Sequence, residues 1–218
     1  MVHDAGFSQP ARTWDERYCA PGYRFGTEPN AFLKSHQALF KAGKTALAVA
    51  DGEGRNSVWL AQHGLVVDAF DISPVGAAKA VELARRSAVT VNLNVCDCDS
   101  WEWRQDTYDY VIAIFVQFAD PETRRRLFAN MIEALKPGGY LILQGYTPKQ
   151  LDYKTGGPGV LDNLYTDALL RAAFAQLQLI ELREYETELQ EGTQHSGKSA
   201  LIGMVARKRL PAPHTPSP

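Results

Sequence analysis

Thr45-Ala-Leu-Ala-Val-Ala-Asp-Gly-Glu-Gly54 joins a short apolar run to a glycine-containing turn, and the sequence on its C-terminal side repeats that arrangement. From Arg55 to His63 the spacing is helical, with Val58, Leu60 and Ala61 available to a core and Gly64 as a stop. Leu65 to Phe70 is a second apolar run, ending at Asp71. Ser73-Pro74 then opens a helix as N-cap and first-turn proline, reaching to about Ser87. Val89 to Val95 reads as a strand that ends before Asp97, and Tyr108 to Val116 as a buried one. A helix from Pro121 through Leu135, a turn at Lys136-Pro-Gly-Gly139 and a strand from Tyr140 to Gln144 follow. Strands alternating with helices imply βαβ units and a parallel sheet.

Near the end the style changes. Asp167 to Phe174 is helical, and Leu177 to Glu188 and Ser199 to Val205 read as strands joined by a loop, Gln190 to Lys198. So short a connection makes them antiparallel, because a parallel return needs a crossover of about a dozen residues. The sequence contains no internal repeat.

The 218 residues suffice for one substantial core. With 23 basic and 25 acidic residues the net charge is −2, which provides no global footprint for a nucleic acid or an anionic membrane. Met1 to Pro10 has no basic, then apolar, leader pattern. The longest apolar run, Tyr110 to Val116, falls far short of the roughly 20 residues a membrane helix needs. Cys19, Cys96 and Cys98 have no framework spacing and no partner pair for a metal, as expected of a reduced, cytoplasmic protein. Nothing in the sequence specifies an oligomeric state.

In an open α/β sheet, ligands bind beyond the carboxyl ends of the strands. Those ends carry Asp51-Gly-Glu-Gly54, Asp71, Asp97 and Phe115-Val-Gln117. Asp71 stands 19 residues after Gly52, where an acid can accept hydrogen bonds from a ribose diol. A ribosyl cofactor is therefore expected, of one of two classes. Gly52-Glu-Gly54-Arg-Asn-Ser57 is an incomplete dinucleotide fingerprint, with Ser57 at the third glycine. Asp51 and Glu53 would repel a pyrophosphate, but suit a ligand carrying an ammonium and a sulfonium. These acids also complement the dipole at the start of the next helix.

Ala46 to Leu60 resembles the first motif of class I S-adenosylmethionine-dependent methyltransferases. Val67-Asp-Ala-Phe-Asp-Ile-Ser-Pro74 is similar to their second strand with its ribose acid, and Leu135-Lys-Pro-Gly-Gly-Tyr-Leu141 to the approach to their fifth strand. Gly-Glu-Gly-Arg-Asn56 behind an aromatic arm is most similar to the small bacterial tellurite-resistance enzymes, with thiopurine methyltransferases as more distant comparisons. The resemblance spans Ala46 to Lys208 and implies a Rossmann-like, doubly wound α/β fold: a mostly parallel seven-stranded sheet with an antiparallel C-terminal strand. It implies an arm and helix over residues 1–44 and the methyltransferase domain over 45–209, and the proline-rich composition of the end reads as a disordered tail over 210–218.

Carried over, Asp51, Gly52, Glu53, Gly54 and Asn56 would surround the methionine end of S-adenosylmethionine. Asp71 would hold the ribose, Ile72 the adenine face, and Asp97 with Cys98 the adenine edge. Phe115 and Gln117 would lie beside the sulfonium. Two departures stand out: Ala48 replaces the family's usual acid, and Ala50 its first glycine.

Methyl transfer releases a neutral leaving group, so positioning and exclusion of water supply much of the catalysis. The arm from Trp14 to Tyr18 and Tyr23 to Asn30 is dense in aromatics and is expected to act as a lid. His195 (as base or anion contact), Tyr23 and Arg24 are the catalytic candidates, with Tyr146 and Thr155-Gly-Gly-Pro158 nearby in the acceptor pocket. Arg124-Arg-Arg126 reads as a solvated helix face, and Trp101 and Trp103 as a cover for the sheet. The expected function is methylation of a small molecule, a thiol or a chalcogen oxyanion, with no nucleic-acid or membrane partner. A nicotinamide-dependent oxidoreductase and a non-catalytic cofactor-binding module are the alternatives.

Overall fold

The computed structural model describes residues 9–211. Pro10–Tyr18 (α1) and Ala31–Ser35 (α2) precede Thr45–Val49 (β1), Arg55–Gln62 (α3), Val66–Asp71 (β2), Pro74–Arg86 (α4) and Asn92–Val95 (β3). Tyr108–Ile114 (β4), Pro121–Ala134 (α5), Leu135–Tyr146 (β5), Gln150–Tyr153 (α6), Asp167–Ala173 (α7), Leu177–Glu191 (β6) and His195–Lys208 (β7) complete the order. The seven strands lie in the order β3-β2-β1-β4-β5-β7-β6. β1 to β5 pair in parallel, and β7 runs antiparallel to both neighbours. This is the doubly wound α/β architecture the sequence implies. The expected disordered tail falls largely on 212–218, outside the described residues.

β1 is buried on both faces, and its alternation divides the core. Leu47 and Val49 face Leu127, Phe128 and Met131 of α5, whereas Ala46 faces Trp59 and Leu60 of α3. The N-terminal arm is pinned at several points. Asp15 of α1 accepts a hydrogen bond from the Ser73 hydroxyl at 2.5 Å. Lys79 of α4 donates to the carbonyls of Ala20 and Gly22.

Three boundaries differ from expectation. Leu135 leaves the helix and pairs with Tyr108, and Lys136–Gly139 forms an irregularity inside β5 rather than a turn before it. β3 is shorter than predicted. β6 and β7 extend into a continuous hairpin that reverses at 192–194, so the expected loop is largely strand and His195 begins β7. Polar side chains on an edge strand read as loop, but the ladder is set by its partner's backbone. Arg124 is likewise buried, donating to the Asp162 carbonyl, so only part of its basic run is solvated.

Candidate functional site

Beyond the carboxyl ends of β1, β2 and β4 lies a cavity of about 320 Å³, roofed by Trp14, Tyr18 and Phe25 of the arm. The first turn builds its floor. Ala50 takes φ +48°, so the position where the resembled pattern has glycine is left-handed even with a side chain. Gly52 follows at φ +61°, where a Cβ would lie 2.6 Å from the Tyr18 hydroxyl. Its amide donates to Asp71 at 2.8 Å, and the Ser73 amide donates to the same carboxylate at 2.9 Å. Asp71 thus ties the first two strand ends together. A carboxylate has about four acceptor sites, so two remain for a ligand.

Asp51 accepts from the amide and hydroxyl of Ser57, an exchange possible because serine replaces the third fingerprint glycine. Burial raises the Asp51 carboxyl to about 7 and Asp71 to about 6, against the hydrogen bonds that favour ionisation. Neither forms a salt bridge among the described residues. Asp97 caps the amides of Asp99 and Ser100, and the Ser100 bonds hold its carboxyl below the usual range. Ile72 and Cys98 complete the wall, the Cys98 thiol pushed up by burial. Trp101 stacks on Phe70, with ring centroids 4.8 Å apart, closing the end of the sheet.

Other expected residues serve different purposes. Glu53 touches the cavity, but its carboxylate accepts from the Arg24 amide at 2.6 Å and pairs with Lys79 at 2.9 Å, fastening the arm. Gly54 does not line the cavity: a Cβ there would lie 2.6 Å from the Ala80 Cβ, so its role is close packing of α3 on α4. Asn56 is buried behind the wall and accepts from the Asn30 amide at 3.0 Å. Tyr23 lies in neither cavity; its hydroxyl donates to the Lys79 carbonyl, and its ring packs by Val58 and Leu83. Gln117 bonds the backbone of Tyr146 and Asn163 and faces a second cavity, not the first.

That second cavity, of about 390 Å³, adjoins the first. Trp14, Phe25, Phe115, Phe118 and His195 border both, forming a shared neck. Phe115, at φ +58°, stacks on Tyr146 with centroids 4.8 Å apart and meets His195 edge-on at 4.3 Å. Arg24 stands on the second cavity's wall, its guanidinium donating to the Arg17 carbonyl at 3.0 Å. His195 is neither in a loop nor solvated. Burial draws its pKa below the ordinary value, with the Glu191 carboxylate pulling the other way. Its Nδ1 lies 3.8 Å from the Glu191 carboxylate and has no hydrogen-bond partner.

Sequence reasoning gave no separate roles to Arg55 or Glu191. They pair at 2.8 Å with both side chains nearly buried, and Glu191 also accepts from Asn30 and Ala31. Burial opposes its ionisation, but His195, Arg55 and the Ala31 amide together hold its carboxyl at about 2. The only local signal was a polar residue on each side of a turn.

Residues 46–139 match the family described as a methyltransferase domain. That stretch is similar to a methyltransferase domain. The match runs from Ala46 in β1 through β4 to the entry into β5, the strands whose ends form the first cavity. Among curated relatives, hemagglutinin 1 of Eikenella corrodens is 24% identical, over 80% of this chain and 59% of its own. Ribosomal protein L11 methyltransferase of Campylobacter concisus is 27% identical, over 75% and 53% respectively. The chain therefore spans little more than half the length of these relatives. TehB from Haemophilus influenzae shares the fold at TM-score 0.68 and 18% identity, over 91% of this chain and 67% of that one. A chain solved in work on conversion of a disulfide bond into a thioacetal group during echinomycin biosynthesis superposes at TM-score 0.75, with 16% identity and 93% of each chain covered.

S-adenosylmethionine is the cofactor such a domain implies, and the residues of the first cavity suit it. Two carboxylates that form no salt bridge among the described residues, the half-buried Asp51 and the buried Asp71, line the cavity where a cation with a ribose diol would meet them. Apolar and aromatic walls flank them.

Proposed function

We propose that this protein transfers a methyl group from S-adenosylmethionine to a small-molecule acceptor bearing a soft nucleophile, a thiol or a chalcogen oxyanion. The observation that carries this reading is the pairing of an acid-lined cavity with a second cavity across the Phe115–His195 neck. When bound, the cofactor supplies an electrophilic methyl on a sulfonium. Asp71 holds the ribose, and Asp51 offsets positive charge. Trp14 and Phe25 exclude water from both cavities, which strengthens every charge interaction inside. Where the acceptor must lose a proton, His195 takes it at Nε2, keeping its own proton on Nδ1 towards Glu191. The free thiols of Cys19, Cys96 and Cys98 accord with a cytoplasmic setting, and no described helix is long and apolar enough to cross a membrane.

Calorimetric titration with S-adenosylhomocysteine and with NADH, followed by methyl turnover across a panel of acceptors, tests the reading. We expect S-adenosylhomocysteine to bind and NADH not to. Binding of NADH alone would replace this reading with the oxidoreductase, and S-adenosylhomocysteine binding without turnover would favour a non-catalytic module.

A further inference from the structure

The two cavities differ in charge. Asp51, Glu53, Asp71, Asp97, Asp99 and Asp120 line the first, against one cation, Arg55, which is paired with Glu191. No acid lines the second, whose cations are Arg17 and Arg24. Neither guanidinium has an acidic partner among the described residues. Arg17 lies 4.7 Å from the centroid of the Trp14 ring, and Arg24 bonds the Arg17 carbonyl, so the two are held on one segment of the arm. A pair of guanidiniums without carboxylates, beside a low-dielectric wall, favours an anion.

The rest of the second cavity describes what that anion is attached to. Trp14, Phe25, Phe115, Phe118 and Tyr146 supply aromatic surface. At about 390 Å³ the space suits an organic molecule, and a lone oxyanion of a few atoms would leave most of it to water. The Tyr146 hydroxyl, on a residue of this cavity's wall, is wholly buried and has no hydrogen-bond partner. Such a group is costly to leave unpaired and fits a ligand with a polar atom near the neck.

Resting on the methyltransferase reading above, we propose that the second cavity is an acceptor subsite selective for an aromatic carboxylate. Its ring lies among Trp14, Phe25 and Phe115, its carboxylate meets Arg17 and Arg24, and its nucleophile points into the neck beside His195. For a thiol acceptor, the S–H proton passes to His195 and the sulfur lone pair forms the new bond to the methyl carbon. The sulfonium C–S bond breaks, and its electron pair stays on the cofactor sulfur, which becomes neutral.

The test compares 4-mercaptobenzoate with its uncharged methyl ester, which presents the same nucleophile. Both are measured in turnover with S-adenosylmethionine, on the full chain and on the Arg17→Gln/Arg24→Gln double variant. S-adenosylhomocysteine affinity, measured in parallel, reports folding and the cofactor site. We expect kcat/KM at least about tenfold higher for the acid than for the ester in the unmodified chain. The double variant should lose that preference while binding S-adenosylhomocysteine as before. Equal use of acid and ester, or a preference that survives in the double variant, overturns the proposal. So does methylation of tellurite with neither ring compound accepted. Failure of S-adenosylhomocysteine to bind the unmodified chain overturns the cofactor reading and this one with it, whereas binding without acid preference overturns this one alone.

Discussion

The Gly52 amide donates to the Asp71 carboxylate at 2.8 Å, so the end of β2 fixes the turn that follows β1. Replacing Asp71 by Ala removes both this tie and the acceptors proposed for the ribose. We expect S-adenosylhomocysteine affinity to fall by about 1–3 kcal/mol, measured by calorimetry. Unchanged affinity would move the cofactor elsewhere.

Asp51 and Asp71 have folded-state pKa values of about 7 and about 6, raised above the usual carboxylate value. A raised carboxyl binds its proton more tightly in the folded state. Its contribution to stability is therefore complete below about pH 4 and is lost as pH rises through 6 to 7. The ligand-free protein should show a thermal midpoint that falls across that window, with a shallower slope in Asp51→Asn. S-adenosylmethionine affinity should move the opposite way, rising as the carboxyls ionise. A midpoint slope identical in Asp51→Asn and the parent would refute the assignment.

Glu191 and Arg55 form a nearly buried ion pair at 2.8 Å. Removing one partner strands the other charge, so Glu191→Gln should destabilise the protein by roughly 3–5 kcal/mol in urea unfolding. Changing both, as Glu191→Gln with Arg55→Met, should recover part of that loss. Additive losses in the double variant would show that the pair is not coupled.

Ala50 holds φ +48°, a left-handed conformation that costs a non-glycine residue on the order of 1–3 kcal/mol. Glycine relieves it but adds about 0.4–1 kcal/mol of unfolded-state entropy. We expect Ala50→Gly to stabilise the chain slightly, by about 0.5–1 kcal/mol. A lower unfolding midpoint would contradict the strain.

Trp14 borders both cavities and stacks on Tyr18 with centroids 5.6 Å apart. As α1 stands outside the sheet, Trp14→Ala should leave the unfolding midpoint nearly unchanged while lowering kcat/KM for methyl transfer by about tenfold or more. Full turnover in that variant would remove the lid role.

The alternation of apolar runs with helical segments determined the parallel sheet, and the residues at each strand end determined where a ligand would sit. Both are local properties: strand and helix periodicity, Ser73-Pro74 as a helix start, and Asp71 at a strand terminus are all visible within a few residues. Tertiary structure decided which of those residues face a ligand. Glu53 is held by Arg24 and Lys79, Gly54 is closed off by Ala80, and Tyr23 is turned to Lys79, each through a partner distant in sequence. It also decided that His195 stands beside Phe115 and Glu191 at the neck, because a hairpin carries it there. A strand-end position fixes which edge of the sheet a side chain occupies. Whether that side chain meets solvent, a ligand or a neighbouring element depends on what packs over it, and no local pattern encodes that.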